Sequence, residues 1–331
     1  MKIISFGEIL LRLSPPAGKR LVQAEQLDVV YGGSEANVAV SLSVLGHDSW
    51  FVTRNPDNLP GRAALGALSR YGVQTGKTVW GGDRLGIYFL EPGAGLRGSE
   101  VIYDRGGSGM ATLQPGMINW GEVLAGCDWF HWSGITPALS QSAADATREA
   151  VNTACGMGIP VSCDLNYREK LWKYGKQPSE IMPELMQLCT VILGDPGAFD
   201  LYSGIKGTTD SEILHEFSTK YPAVEYITMT RREGFTATHN TYQGILWHKG
   251  VIYTSAVYDM PDMTDRIGGG DAFMAGIIHG LSRGNMYLQE TVEFAAAAAA
   301  LKHYVAGDFN LSTEKEIIRL MNGNTGGKVN R

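Results

Sequence analysis

Short apolar runs, each closed by glycine or polar residues and separated from the next by a helix-length stretch, recur through most of this 331-residue chain. Residues 129–133, 160–165, 191–194 and 226–230 are such runs. A helix with Ser140 as N-cap and Ala143, Thr147, Ala150 and Ala154 on one stripe follows the first, and helices near 179–189 and 209–220 fill the later gaps. Strands buried on both faces read as continuous apolar runs, and parallel neighbours need a crossover helix between them. The alternation predicts an α/β fold, a mostly parallel sheet with helices on both faces. In such sheets ligands collect at the carboxyl ends of the strands.

The same rhythm opens the chain. Residues 2–12 read as a strand, and 27–31 as an extended run leading into Gly32-Gly33. A helix follows with Val38, Ala39, Leu42 and Leu45 on one face and Gly46 as its stop, then a strand at 48–53 and a helix at 60–71 ended by Gly72. Residues 85–90 and 100–104 break the pattern: two extended segments joined by a glycine- and proline-rich turn, a β-hairpin with no helix between. An antiparallel excursion at 235–258 and helices near 270–283 and 287–305 complete the reading. No repeat or linker divides the chain, so one domain spanning 1–331 with a small β insertion is expected.

The chain has 42 glycines where average usage of about 7% gives roughly 23, which points to many tight turns and close backbone approaches. With 28 basic and 34 acidic residues the net charge is −6, and no Lys/Arg run offsets it. Nucleic-acid and anionic-membrane partners are therefore disfavoured. No stretch approaches 18 apolar residues and the first residues read as a strand, not a signal segment, so a cytoplasmic location is expected. Cys127, Cys155, Cys163 and Cys189 lie far apart without metal-ligand spacing and read as buried free thiols.

Two glycine clusters carry the chemistry. Asp265-Arg266-Ile267-Gly268-Gly269-Gly270-Asp271 enters a helix whose first turn holds an aspartate. Bare N–H groups there suit an anion, and a carboxylate beside them suits proton acceptance from an alcohol being phosphorylated. A glycine-rich loop with Asp271 as a simple N-cap is the competing reading. Gly32-Gly33-Ser34-Glu35-Ala36-Asn37 is a second strand–glycine–helix junction, either a site for a hydroxyl-rich ligand or a turn with Ser34 as N-cap. Arg105, Arg168 and Arg266 fall at strand ends or site loops and suit a carboxylate or phosphate. Two strings are decoys. Gly93-Ala94-Gly95-Leu96-Arg97-Gly98 precedes an extended segment and reads as the hairpin turn, and the P-loop-like residues 72–78 are one residue short and follow a helix.

The two glycine motifs, some 235 residues apart, resemble the signatures of the ribokinase-like (pfkB) carbohydrate kinases across essentially the whole chain. Residues 4–8, 129–137, 164–168, 301–303 and 307–310 extend the likeness, which is greatest to the family's 2-keto-3-deoxygluconate kinases. The resemblance implies a ribokinase-like three-layer α/β/α domain with a small β-sheet lid built from about 9–32 and 84–110. It implies an ATP- and Mg²⁺-dependent sugar-acid kinase that pairs as a homodimer or higher oligomer through the lid. By the same resemblance Asp271 is the base, and Gly268, Gly269 and Gly270 hold the transferring phosphoryl group. Gly33, Asn37, Tyr88, Tyr103, Arg105, Ile135 and Arg168 meet the sugar acid, and Thr228, Arg231, Gly234, Arg266 and Lys302 meet ATP.

Two departures stand out. Arg266 replaces the family's usual threonine, and Asp195-Pro196-Gly197-Ala198 stands where an Asn-x-x-Glu motif helps organise metal, leaving Asp195 to reach Mg²⁺ through water. A helix N-terminus also predicts a depressed pKa for Asp271. Kinases of the galacto epimer or of fructose, and a non-catalytic sugar-acid sensor, are the alternatives.

Overall fold

A computed structural model describes residues 1–323; the last part of the expected 1–331 domain lies outside the described residues. The main sheet runs in the order Asp48–Val52, Lys2–Phe6, Trp129–Ser133, Val161–Asp164, Val191–Gly194, Tyr226–Arg231 and His239–His248. The first six strands are parallel, and His239–His248 joins antiparallel to Tyr226–Arg231. Alternate residues feed two separate cores. Ile4, Phe6, Phe130, Trp132 and Ile192 point into one, while Ile3, Trp129, Val191 and Leu193 point into the other with Phe273 and Ile277. Helices thus cover both faces, giving the three layers.

Lys2–Phe6 lies between Asp48–Val52 and Trp129–Ser133, so the chain departs from it in both directions. This reversal opens a crevice beyond the strands' carboxyl ends.

A second sheet of four strands, in the order Asp28–Gly32, Leu10–Ser14, Gly86–Glu91 and Glu100–Asp104, stands over that crevice. The run expected as one strand at 2–12 is two strands in two sheets, interrupted at Gly7. A side chain at Gly7 would strike the Glu35 carboxyl at 2.1 Å. Gly93–Gly98 forms the hairpin turn, bridged between Ala94 and Arg97. Three α-helices were not anticipated: the single turn Trp120–Val123; Pro196–Ser203, capped by Asp195; and Glu314–Met321, opened by a Thr313–Glu316 capping box. Cys155 is exposed, unlike the other three cysteines, because it falls on the outer face of Gln141–Gly156. Among the described residues no helix is long and apolar enough to cross a membrane.

Candidate active site

The helices Ser34–Val44 and Gly269–Arg283 share a core through Val38, Leu42, Phe273 and Ile277, so their N-termini meet at the crevice. A cavity of about 990 Å³ opens there, within the range of small-molecule sites. Successive strand ends supply Glu8, Ile135, Asp164, Asp195 and Thr230 to its wall.

Gly268, not Asp271, caps its helix, with φ +84°. A side chain at Gly268 would lie 2.0 Å from the Asp308 carbonyl oxygen, so both backbone conformation and space demand glycine. Gly270 by contrast faces open space. Asp271 lies in the first turn, turned toward the other helix: Ser34 Oγ donates to its Oδ1 at 2.8 Å and Asn37 Nδ2 to its Oδ2 at 2.7 Å. Positions 34 and 37 fall on one helix face, which aims both donors at one carboxylate. Ser34 is therefore inside its helix, with Gly33 as the cap.

Burial pushes the Asp271 pKa above the ordinary value, against the opposing hydrogen bonds from Asn37 and Ser34 and the charges of Arg168 and Lys302. The direction is opposite to the depressed value expected from the helix N-terminus, because desolvation of the buried carboxylate outweighs the donors and the nearby cations. Asp271 is a stronger base than an exposed carboxylate.

Three polar residues that lie in the sequence motifs but were given no role of their own line the same cavity. Asn166 donates to Ser34 Oγ at 2.9 Å and to Asp164 Oδ2 at 3.3 Å. Its φ of +39° is a conformation asparagine tolerates. Burial and the Asp271 charge push Asp164 up to about 7. Glu35, 1% exposed, accepts from Ser133 Oγ at 2.6 Å and Thr136 Oγ1 at 3.2 Å, and burial raises it to about 7.

Of the expected sugar contacts, Gly33, Asn37, Tyr88, Tyr103, Arg105, Ile135 and Arg168 all line the cavity. Besides Asn37 on Asp271, two of them pair with buried carboxylates. Arg105 donates through Nε to Glu8 Oε2 at 2.7 Å, with Nη2 2.6 Å from the same oxygen, in an ion pair about 5% exposed, and the Tyr88 hydroxyl donates to Asp308 Oδ2. Arg168 is exposed and makes no ion pair among the described residues.

The expected ATP contacts divide. Arg266 lines the cavity with Gly268, Gly269 and Gly270, and Asn240, its amide oriented to satisfy both ends, accepts from Arg266 Nη2 at 2.9 Å. Thr228 is fully buried inside the sheet and donates to the Ile192 carbonyl; Thr230, two residues nearer the strand end, reaches the wall instead. Strand alternation turns Arg231 away to pair with Asp210 and sends Arg232 into the cavity. Gly234 is exposed on the edge strand Gly234–Thr236, off the wall. Lys302 is wholly buried behind the glycine loop, Nζ donating to the Val305 carbonyl at 3.1 Å. Arg232 lowers the Arg266 pKa after burial does, and neither guanidinium has a carboxylate partner among the described residues. Two facing cations on a wall suit a polyanion.

Among the described residues no three acidic or sulfur/imidazole side chains converge as a protein-only metal cage. Mg²⁺ keeps waters and phosphate oxygens in its shell and needs only one or two carboxylates. Asp195, with Oδ1 capping Pro196–Ser203 at the Ala198 N–H, is on the wall and fits that limited role.

Comparison with known proteins agrees with this geometry. A sequence profile for "pfkB family carbohydrate kinase" matches residues 1–313. The 2-dehydro-3-deoxygalactonokinase of Haloferax volcanii is 32% identical over 330 residues, covering 98% of each chain. The 2-dehydro-3-deoxygluconokinase of Thermoproteus tenax is 27% identical over 93% of this chain and 90% of its own. The crystal structure of 2-dehydro-3-deoxygluconokinase from Thermotoga maritima superposes with a TM-score of 0.94 at 38% identity, covering 98% of this chain and all of that one.

Proposed function

Because the chain belongs to the pfkB family of carbohydrate kinases, and so transfers phosphoryl groups from ATP to sugars, we propose that its acceptor is 2-keto-3-deoxygluconate, phosphorylated on the 6-hydroxyl. The observation that carries this reading is Asp271, buried and held by Ser34 and Asn37, in one cavity with the guanidinium groups of Arg105, Arg168, Arg232 and Arg266. A neutral sugar has no use for the guanidinium at the Arg168 end, while a sugar carboxylate does.

In the proposed step the hydroxyl oxygen attacks the γ-phosphorus, the bond to the β-phosphate bridging oxygen breaks, and the hydroxyl proton passes to Asp271. Ser34 and Asn37 fix the carboxylate, and its raised pKa favours taking the proton. The helix N-terminus at Gly268–Gly270 and Arg266 stabilise charge on the phosphoryl oxygens. Asp195 would hold magnesium through its waters, and the ion would supply charge neutralisation for the phosphates. Arg168 and the free edge of Arg105 take the carboxylate. The four-stranded sheet serves as a lid over the sugar; its outer face carries Val29 and Ile102, both exposed, and supports pairing of two copies through the lid. The 32% identity to a galactonokinase favours a second reading, the galacto epimer as substrate.

A coupled ADP-release assay over both epimers, gluconate, fructose and ribose tests the proposal. Turnover of a 2-keto-3-deoxy acid well above the neutral sugars supports it; turnover of fructose alone rejects it.

A further inference from the structure

Beneath the glycine loop lies a cluster of buried charges that the phosphoryl-transfer chemistry above does not use. Arg12, on the lid strand Leu10–Ser14, places Nη1 2.8 Å from both Asp308 Oδ1, to which it donates, and Asp265 Oδ2, with which it forms an ion pair, and every side chain is at most 8% exposed. Arg12 Nε donates to Ser14 Oγ at 3.1 Å, which fixes the plane of the guanidinium.

Each carboxylate has a second task. Asp265 Oδ1 accepts the Ile267 N–H at 3.0 Å and Oδ2 the Gly307 N–H at 3.1 Å, tying the start of the glycine loop to the segment after Leu288–Lys302. Asp308 Oδ2 accepts the Tyr88 hydroxyl of the sugar-side wall, and its backbone carbonyl abuts Gly268. The Lys302 side chain packs against Gly268 from behind. Arg12 and Lys302 balance Asp265 and Asp308, so this charge set is complete only with a residue of the lid sheet.

Burying two carboxylates and a guanidinium is costly unless geometry is good, and removal of one partner strands the others. A surface-tethered lid needs no such arrangement. The network reaches from Tyr88 on the sugar wall to the backbone that bears Gly268, Gly270 and Asp271.

We infer that Arg12 is a positioning residue for phosphoryl transfer, holding the Asp265–Asp271 loop in register with the lid through Asp265 and Asp308. The inference rests on the proposed role of that loop. Filling the sugar site from the Tyr88 side and ordering the phosphate-binding backbone are then linked through Arg12, although it touches neither substrate.

The test is steady-state kinetics of Arg12→Gln, Arg12→Lys and Asp265→Asn, each measured at least 15 °C below its own melting temperature with folding checked by circular dichroism. Positioning through the loop lowers kcat of Arg12→Gln about 30-fold while KM for the sugar acid and for ATP stays within threefold. Arg12→Lys, which keeps the charge, recovers to within about tenfold of the parent. Asp265→Asn, isosteric and free of a charge deletion on the lid, reproduces the kcat loss, so a failure of Arg12→Gln to fold leaves the idea exposed to test. A folded Arg12→Gln or Asp265→Asn with kcat within twofold of the parent overturns the inference, as does a loss confined to the KM of the sugar acid. If the parent protein turns over no sugar acid at all, it is the proposed function that fails, a result seen before any variant is made.

Discussion

Replacing Glu35 with glutamine removes a carboxyl that is 1% exposed and that burial pushes from 4.5 up to about 7, against hydrogen bonds from Ser133 and Thr136 and the charge of Arg105. The unfolded chain releases this proton near pH 4.5 and the folded chain near 7. Between those values the folded state holds the extra proton, so this group's contribution to stability falls as pH rises through the window and stays low above it. At about 1.4 kcal/mol per pH unit the full penalty is roughly 3 kcal/mol, of which about 2.5 kcal/mol develops between pH 5 and pH 8. Glutamine keeps an acceptor for Ser133 Oγ and carries no proton to lose. Thermal melts of parent and Glu35→Gln at pH 5 and pH 8 measure the difference directly. The parent should lose about 5 °C more than the variant over that interval, at roughly 2 °C per kcal/mol for a chain of this length. Asp164, also raised to about 7, retains its own share of the slope in both proteins. Equal losses in the two proteins would refute the assignment of Glu35 as a carboxyl that is protonated when folded.

Arg168→Ala removes an exposed guanidinium with no carboxylate partner among the described residues and should raise KM for a keto-deoxy sugar acid about 10- to 100-fold, the worth of one charge-assisted pair, while leaving any residual fructose turnover unchanged in the same assay. Gly268→Ala forces a methyl group to within 2.0 Å of the Asp308 carbonyl at φ +84°; a melt should show a loss of at least about 2 kcal/mol, with kcat falling as the loop shifts. The acid limb of the kcat/KM profile should have its midpoint above the usual carboxylate range, because ionised Asp271 is required and burial raises it. Asn37→Ala should move that midpoint higher, since the lost hydrogen bond favours the charged form.

The alternation of strands and helices was legible because each parallel strand is buried on both faces, and Trp129–Ser133 with all five residues buried is the clearest case. The two glycine motifs were also legible, and they meet: residues 237 and 234 positions apart are hydrogen-bonded at Asp271. What local pattern cannot display is a pairing between distant side chains. Arg12 reads as an ordinary strand residue until Asp265 and Asp308 are seen beside it, 253 and 296 positions away. The pKa of Asp271 was misjudged for the same reason, since the helix dipole is visible in sequence and the depth of burial is not. Arg231 and Arg232 are neighbours in sequence, and only the strand's phase decides which one faces the cavity. The missed helices Pro196–Ser203 and Glu314–Met321 did leave signals, an Asp-Pro start and a Thr-x-x-Glu capping box.

Asp271 is the carboxylate that both helix N-termini are arranged to hold. Asp271→Asn keeps the shape and the contact with Ser34 and removes the proton acceptor. With the best sugar acid and saturating Mg·ATP, its kcat should fall by about 10²–10⁴-fold with a much smaller change in either KM. Turnover equal to that of the parent would contradict the account at its centre.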